Sequence, residues 1–204
     1  MPRPRTPLLS TDRIADAAMA LVDEGAAFGV NAFARRLGVT PSSLYNHVAG
    51  RDEIIELMRG RLGEQYMSES FAGTWDQVVG ATLRAERRMY AEHPFLIPLI
   101  VGKTITDPTV IASYDRLATA LAEAGFPDDD VLEVVAIIDA FSIGFGLDLA
   151  SPDEIWRPET PTRALGRLVE DSPRGAARSD RAFESGLEML LDGLRLRLAR
   201  YELD

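Results

Sequence analysis

Apolar residues recur along this chain at helical spacing, and almost no stretch alternates as a strand would. Ile14, Ala17, Ala18, Leu21 and Val22 fall at i, i+3, i+4, i+7 and i+8, behind Ser10 as a cap and ahead of Gly25, which suits a helix end. A shorter stripe of Val30, Phe33, Ala34 and Leu37 stops at Gly38, the residue type best able to turn left-handed. Thr40 then offers a side-chain cap, and Pro41 takes the first helical position, where its missing N–H costs nothing. A third helix begins there. Asp52 and Glu53 load the first turn of a fourth, with Ile54, Ile55, Met58 and Leu62 on one face, running to Met67.

After a break over 68–73, Thr74 and Gln77 have the spacing of a capping box and open a helix that ends at His93-Pro94. FLIPLIVG is a short apolar segment interrupted by Pro98. Asp107-Pro108 starts another helix, stopped by Gly125, and Asp128 to Asp130 start a long one through Leu149. Pro152, Pro158, Pro161 and Pro173 mark an irregular connection over 151–178, long enough to be either mobile or functional. A last helix spans 179–200, with Phe183, Leu187, Leu190, Leu191, Leu194 and Leu198 on one side. The pattern predicts an all-α protein without repeats or low-complexity tracts.

Composition narrows the function. With 46% apolar residues the chain folds. It lacks both an uncharged apolar run long enough to span a bilayer and a signal-like N-terminus, so a cytoplasmic protein without a membrane partner is expected. With no cysteine, and with only His47 and His93 far apart, neither a metal site nor a cofactor is signalled. Paired carboxylates, Ser-His-Asp sets and phosphate-cradling glycine loops are absent at usable spacing, so no enzyme is expected. The net charge of -10 divides unevenly: residues 1–51 hold six Arg against four acids, +2, leaving -12 for the rest. The positive field, with an Arg3/Arg5 arm, is confined to the N-terminal quarter.

The second and third helices, joined by a turn at Gly38, make a helix-turn-helix. Such a motif enters the major groove with the first turn of its second helix, which must expose small polar groups outward and pack apolar ones inward. GVTPSSLYNHV divides that way. Leu44 and Val48 face in; Thr40, Ser42, Ser43, Asn46 and His47 face out. Hydroxyls can bond phosphates or base edges, Asn46 can read adenine, and Tyr45 can stack and donate to a phosphate. Arg51 follows, where a guanidinium and a helix N-terminus can together hold phosphate.

These residues carry a resemblance. DRIADAAMALVDEGAAFGVNAFARRLGVTPSSLYNHVAGRDEIIELM resembles the N-terminal domain of the tetracycline repressor (TetR) family of transcriptional regulators, most specifically in LGV, SLYNHV and the basic residue that follows. HPFLIPLI, AEAGF, FSIGFGLDL and the terminal leucine-rich helix are similar to a tetracycline-repressor-like C-terminal domain. The resemblance implies a DNA-binding domain at 1–51, a connecting helix at 52–67, and a ligand-binding and dimerisation domain at 68–204. It also implies a homodimeric repressor of a pseudo-palindromic double-stranded DNA operator, released by a small-molecule effector. The chain departs from the pattern between Gly25 and Phe28, one residue short. It departs again at Gly29, where a Ser or Thr cap is usual, and at Asn31, in the place of a frequent Arg among the DNA-facing positions.

In the C-terminal half the resemblance assigns Thr82, Glu86, Ile100, Lys103, Leu117 and Ile138 to the effector pocket, and helix 128–149 with the last helix to a four-helix dimer bundle. Ile100 stands where tetracycline repressors carry a metal-binding His, which argues against magnesium-chelated tetracycline. Glu86 and Lys103 could pair within the cavity, meet a polar ligand, or each make a surface salt bridge. His93 reads as a helix-end cap. Val131, Val134, Val135, Ile138, Phe141 and Phe145 make helix 128–149 apolar nearly all round, while Ala136, Ala140, Gly144 and Gly146 would admit a close partner. Such stripes can equally be plain core. The alternative reading is an all-helical interaction module whose helix-turn-helix does not bind DNA.

Overall fold

A computed structural model of the chain describes residues 9–67, 73–158, 164–201 and 203. The Arg3/Arg5 arm, most of the break over 68–73, and Pro161 lie outside the described residues. Ten α-helices and one 3-10 turn are present among the described residues, with no strand. By packing, the chain forms two compact units. One groups the described residues of Met1–Ser70 with His93–Arg116, the other those of Phe71–Glu92 with Leu117–Asp204. This grouping follows packing and differs from the division at 51 and 67.

In the first unit, α1 (Thr11–Asp23) is capped by Ser10, whose hydroxyl accepts from the Arg13 N–H at 3.2 Å, and it ends before Gly25 at φ 65°. α2 (Val30–Leu37) starts at Gly29 without a side-chain cap. A hydrophobic staple stands in for the cap: Phe28, just before Gly29, meets Phe33 edge-to-face at 4.8 Å between ring centroids. Gly38, at φ 69°, closes α2. α3 (Pro41–Tyr45) is capped by Thr40, which accepts from the Ser43 N–H at 3.2 Å. α4 (Arg51–Tyr66) packs along α1. Ile14, Ala18, Phe33, Leu44, Ile54, Met58 and Leu62 close the core. Each large apolar side chain so buried contributes about 1.5–3 kcal/mol before entropy is counted.

α4 also buries a side that its apolar stripe does not announce. Arg59, 8% exposed, donates from Nη2 to the Ile100 carbonyl at 2.6 Å and from Nη1 to the Thr104 carbonyl at 3.0 Å and to Glu56 at 2.6 Å. Glu56 in turn accepts from the Thr106 and Asp107 N–H groups at 2.6 and 3.0 Å. A Cβ on Gly60 would sit 2.3 Å from the Asp107 carboxylate, so a side chain there would push that carboxylate aside. The segment itself is a 3-10 turn at Pro94–Leu96, then α6 (Ile97–Ile100) and the start of α7 (Pro108–Glu123). Asp107 caps α7 through the Thr109 and Val110 N–H groups. His93 is no helix-end cap by its side chain. Its Nδ1 lies 2.8 Å from Asp23 and its Nε2 3.2 Å from the Tyr66 hydroxyl.

In the second unit α5 (Trp75–Glu92) and α8 (Asp128–Leu149) make the broadest helix pair among the described residues. The expected capping box at α5 is half formed. Gln77 accepts from the Thr74 N–H at 3.1 Å, but Asp76, not Thr74, accepts from the Gln77 N–H. The connection expected to be irregular contains α9 (Leu165–Asp171), and α10 (Gly175–Tyr201) begins four residues before the expected Ser179. α10 is held in register by charge: Glu184 takes both ends of Arg84, Asp180 pairs with Arg87, Arg195 with Asp76, and Arg197 with Asp130. Exposed pairs of this kind contribute about 0–1 kcal/mol each. Arg87 is the exception, because it is buried under Phe183, its guanidinium 4.6 Å from the ring centroid.

Gly146 does not face outward for a partner. A Cβ there would lie 2.4 Å from the Tyr90 Cβ and 3.3 Å from the Arg87 carbonyl, so this glycine sets the α5–α8 spacing. Gly146→Ala should force the helices apart and destabilise the protein by about 1–3 kcal/mol, read as a lower urea midpoint. An unchanged midpoint would show that α5 does not need this close approach.

Candidate DNA-facing surface and buried acid of the second unit

The motif positions lie in the first unit, most of them exposed. Thr40, Ser42, Tyr45, Asn46 and His47 are exposed, Tyr45 to 54%, while Leu44 and Val48 are buried beneath them. Ser43 is only half-exposed, and its hydroxyl sits 3.0 Å from that of Thr40. α3 is shorter than the sequence pattern suggests. It ends at Tyr45, so Asn46 is its C-cap and His47 follows in a turn whose N–H donates to the Leu44 carbonyl. Asn31 is exposed in the first turn of α2. Arg51 is exposed at the first position of α4, its guanidinium 5.2 Å from the Phe28 ring centroid. Of the nearby arginines, Arg36 is tied to Glu24 at 2.7 Å.

The residues assigned to the effector pocket divide between the units. Ile100 and Lys103 belong to the first, where Ile100 is buried and its carbonyl engages Arg59. Lys103 does not pair with Glu86: its Nζ lies 2.9 Å from Asp52. Thr82, Glu86, Leu117 and Ile138 belong to the second unit and are all buried.

Glu86 does not make a surface salt bridge either. Burial pushes its carboxyl up to about 8, the nearby Asp139 carboxylate pushes the same way, and a hydrogen bond with Ser142 offsets only part of this. The group is therefore a neutral acid at pH 7. A protonated Glu86 can donate to the Ser142 hydroxyl, which donates to the Asp139 carbonyl at 3.1 Å, so one chain uses every proton. Glu86 Oε2 has no partner among the described residues. An unpaired oxygen costs less on a neutral acid than on a carboxylate.

Three features went unread in the sequence, two of them because nothing in it signals them. The capture of backbone carbonyls by Arg59 has no sequence signal, because Glu56 and Arg59 read as an ordinary surface pair three residues apart. The Asp23–His93–Tyr66 bridge joins residues far apart in the chain. The staple at Phe28 has a signal, an aromatic just before a weak cap with another five positions on.

The chain belongs to the tetracycline repressor (TetR) family of transcriptional regulators. Residues 69–198 match the family profile described as "Tetracyclin repressor-like, C-terminal domain". Among curated relatives, the HTH-type transcriptional repressor DrrR1 of Streptomyces coeruleorubidus is 26% identical over 218 residues, covering 95% of this chain and 80% of that protein. An HTH-type transcriptional regulator of Saccharopolyspora erythraea is 28% identical over 167 residues, covering 80% and 69%. The fold is similar to that of apo ActR from Streptomyces coelicolor, with TM-score 0.77, 21% identity, and 96% and 99% of the two chains covered. ActR in complex with actinorhodin gives TM-score 0.73 at 23% identity, covering 93% and 98%. The family is one of regulators, not enzymes. No helix among the described residues is long and apolar enough to cross a membrane.

The Glu86 carboxyl keeps its proton in the folded chain up to about pH 8, whereas an unfolded chain releases it near 4.5. Between those values folding takes up a proton, so stability is greatest below the lower value and falls as pH rises through the upper one, by an order of a few kcal/mol. Glu86→Gln, which is always neutral, should flatten the fall in Tm between pH 5 and pH 8. Parallel Tm profiles for the two proteins would show that Glu86 does not titrate in this way.

Proposed function

We propose that the protein is a repressor that binds a pseudo-palindromic operator as a homodimer and leaves it when a small-molecule effector binds. The observation that carries this reading is the exposed row Thr40, Ser42, Tyr45, Asn46 and His47 over buried Leu44 and Val48, with Arg51 beside it. Polar groups on a rigid turn, backed by core, are what reading a groove requires. Tyr45, Arg51 and the Thr40, Ser42 and Ser43 hydroxyls take backbone phosphates. Asn46, Ser42 and His47 face base edges, and Asn31 lies at the margin of the same contact. In this reading 1–51 is the DNA-binding head, 52–67 the connecting helix, and 68–204 the regulatory and dimerising part.

Exposed apolar residues support dimerisation through α8 and α10: Leu132, Ile137 and Leu147 on one, Met189 and Leu196 on the other. Leu194 is buried within its own chain and is a core position. Ala136, Ala140 and Gly144 leave room for a second copy; nothing lies within 4 Å of a Cβ on Gly144. The effector reading assigns Thr82, Glu86, Ile100, Lys103, Leu117 and Ile138 to its cavity. The ActR structure with actinorhodin supports a small molecule as the occupant of this fold. Effector and operator then bind reciprocally, each weakening the other by the same factor.

Gel shift of labelled DNA flanking the protein's own coding sequence, at two salt concentrations, tests the central claim. Specific retention that fades steeply with salt is the expected result. No retention at either salt would favour the interaction module. Once a site is found, Asn46→Ala should relax preference at one base position by about 1–3 kcal/mol, while Tyr45→Phe should weaken all sequences alike. An unchanged ranking of site variants would remove Asn46 from base readout. Met189→Glu and Leu196→Glu should give folded monomers by light scattering that no longer hold the operator. Dimers that persist through both substitutions would move the interface elsewhere.

A further inference from the structure

The surroundings of Arg51 show how a phosphate-binding arginine is kept ready. Its neighbours in the first turn of α4 are both acids, and both are occupied. Asp52 accepts from Lys103 at 2.9 Å, and Glu53 accepts from the Ala49 N–H. Neither makes an ion pair with Arg51. Among the described residues its guanidinium makes no hydrogen bond; its contact is with the face of Phe28, 5.2 Å from the centroid. Phe28 is itself fixed, edge-on to Phe33, which is 1% exposed.

A guanidinium held over a ring is restrained by attraction to the ring's negative face without a conventional hydrogen bond, so its N–H donors are left for another acceptor. A salt bridge would restrain the same group by consuming those donors. Stacking therefore lowers the entropy lost on binding phosphate without competing for the site.

We propose that Phe28 is a positioning residue for DNA binding: the aromatic that staples α2 also holds the Arg51 guanidinium over its face, with its donors free for a backbone phosphate. The proposal rests on the DNA-binding reading of the helix-turn-helix surface. It couples two parts of the head, because one ring sets both the start of α2 and the aim of the phosphate clamp at the start of α4. The family's usual Ser or Thr cap is replaced here by Gly29, so the staple carries that N-terminus without a capping side chain.

The test is a double-mutant cycle read by fluorescence anisotropy on two labelled duplexes, one selected from a randomised pool by the native protein and one of scrambled sequence at low salt. Phe28→Leu keeps an apolar contact with Phe33 but removes the aromatic face. It should weaken both duplexes by about two- to five-fold per bound subunit and lower the salt slope toward that of Arg51→Ala. Phe28→Tyr and Phe28→Trp should restore both. In the Arg51→Ala background Phe28→Leu should change neither affinity nor slope. An equal loss from Phe28→Leu with and without Arg51 would show that Phe28 acts through α2 alone and would overturn the proposal, as would no loss in the native background. If Phe28→Leu does not fold, the native protein still decides. Arg51 side-chain protons should show a ring-current shift by NMR, identified by their disappearance in Arg51→Lys, and unshifted protons would remove the stack. Failure of the native protein to retain either duplex is a separate result: it overturns the DNA-binding reading, and the proposal with it.

Discussion

A guanidinium cannot leave water without acceptors, and Arg59 lies in the interior of the first unit. The carbonyls of Ile100 and Thr104 and the Glu56 carboxylate meet that demand. Their convergence obliges the chain after α6 to curl over α4. Burial alone would raise the Glu56 carboxyl; the Thr106 and Asp107 hydrogen bonds and the Arg59 charge outweigh it and hold the group below its ordinary value. Glu56 thus stays ionised and bridges the guanidinium to the N-terminus of α7. Remove either partner and a buried charge is left uncompensated, which costs about 3–5 kcal/mol in comparable sites. The glycine at 60 belongs to the same arrangement, since a side chain there would crowd the Asp107 carboxylate that caps α7.

The second unit solves a different problem. Its broadest contact, α5 on α8, is tight at one end, where Gly146 meets Tyr90, and polar in the middle, where Glu86 and Ser142 are enclosed. A carboxyl in such a place is tolerable because it is neutral. α10 is then laid along the pair by ion pairs spaced over its length, with Phe183 packed between Phe141, Phe145 and Arg87. Apolar area gives that packing its strength, and the charges fix its register.

Most helices were legible because their ends are written in local chemistry. Ser10, Thr40, Asp107, Gly38 and Gly125 each do in the structure what their residue type suggests. The exposed row over Leu44 and Val48 was legible for the same reason: a period of four residues is enough to separate faces. Partners far along the chain were not legible. Nothing near Lys103 points to Asp52, nothing near His93 to Asp23, and Gly146 looks like an outward-facing small residue until Tyr90 is set against it. α9 was missed for another reason. It buries none of its residues, so it has no stripe to find among the surrounding prolines.

The hydroxyls of Thr40 and Ser43 are bonded to each other in the free protein, and Thr40 Oγ1 also accepts from the Ser43 N–H, which leaves the pair one O–H donor to spare. In the proposed complex the pair thus brings one new hydrogen bond to a phosphate and not two, and a group that pulls the two apart must replace the bond between them. The cap of α3 thus fixes where these two hydroxyls can reach, because the bonds that start the helix also hold them together. Ser42, Tyr45 and Arg51, exposed around it, carry no such constraint in common.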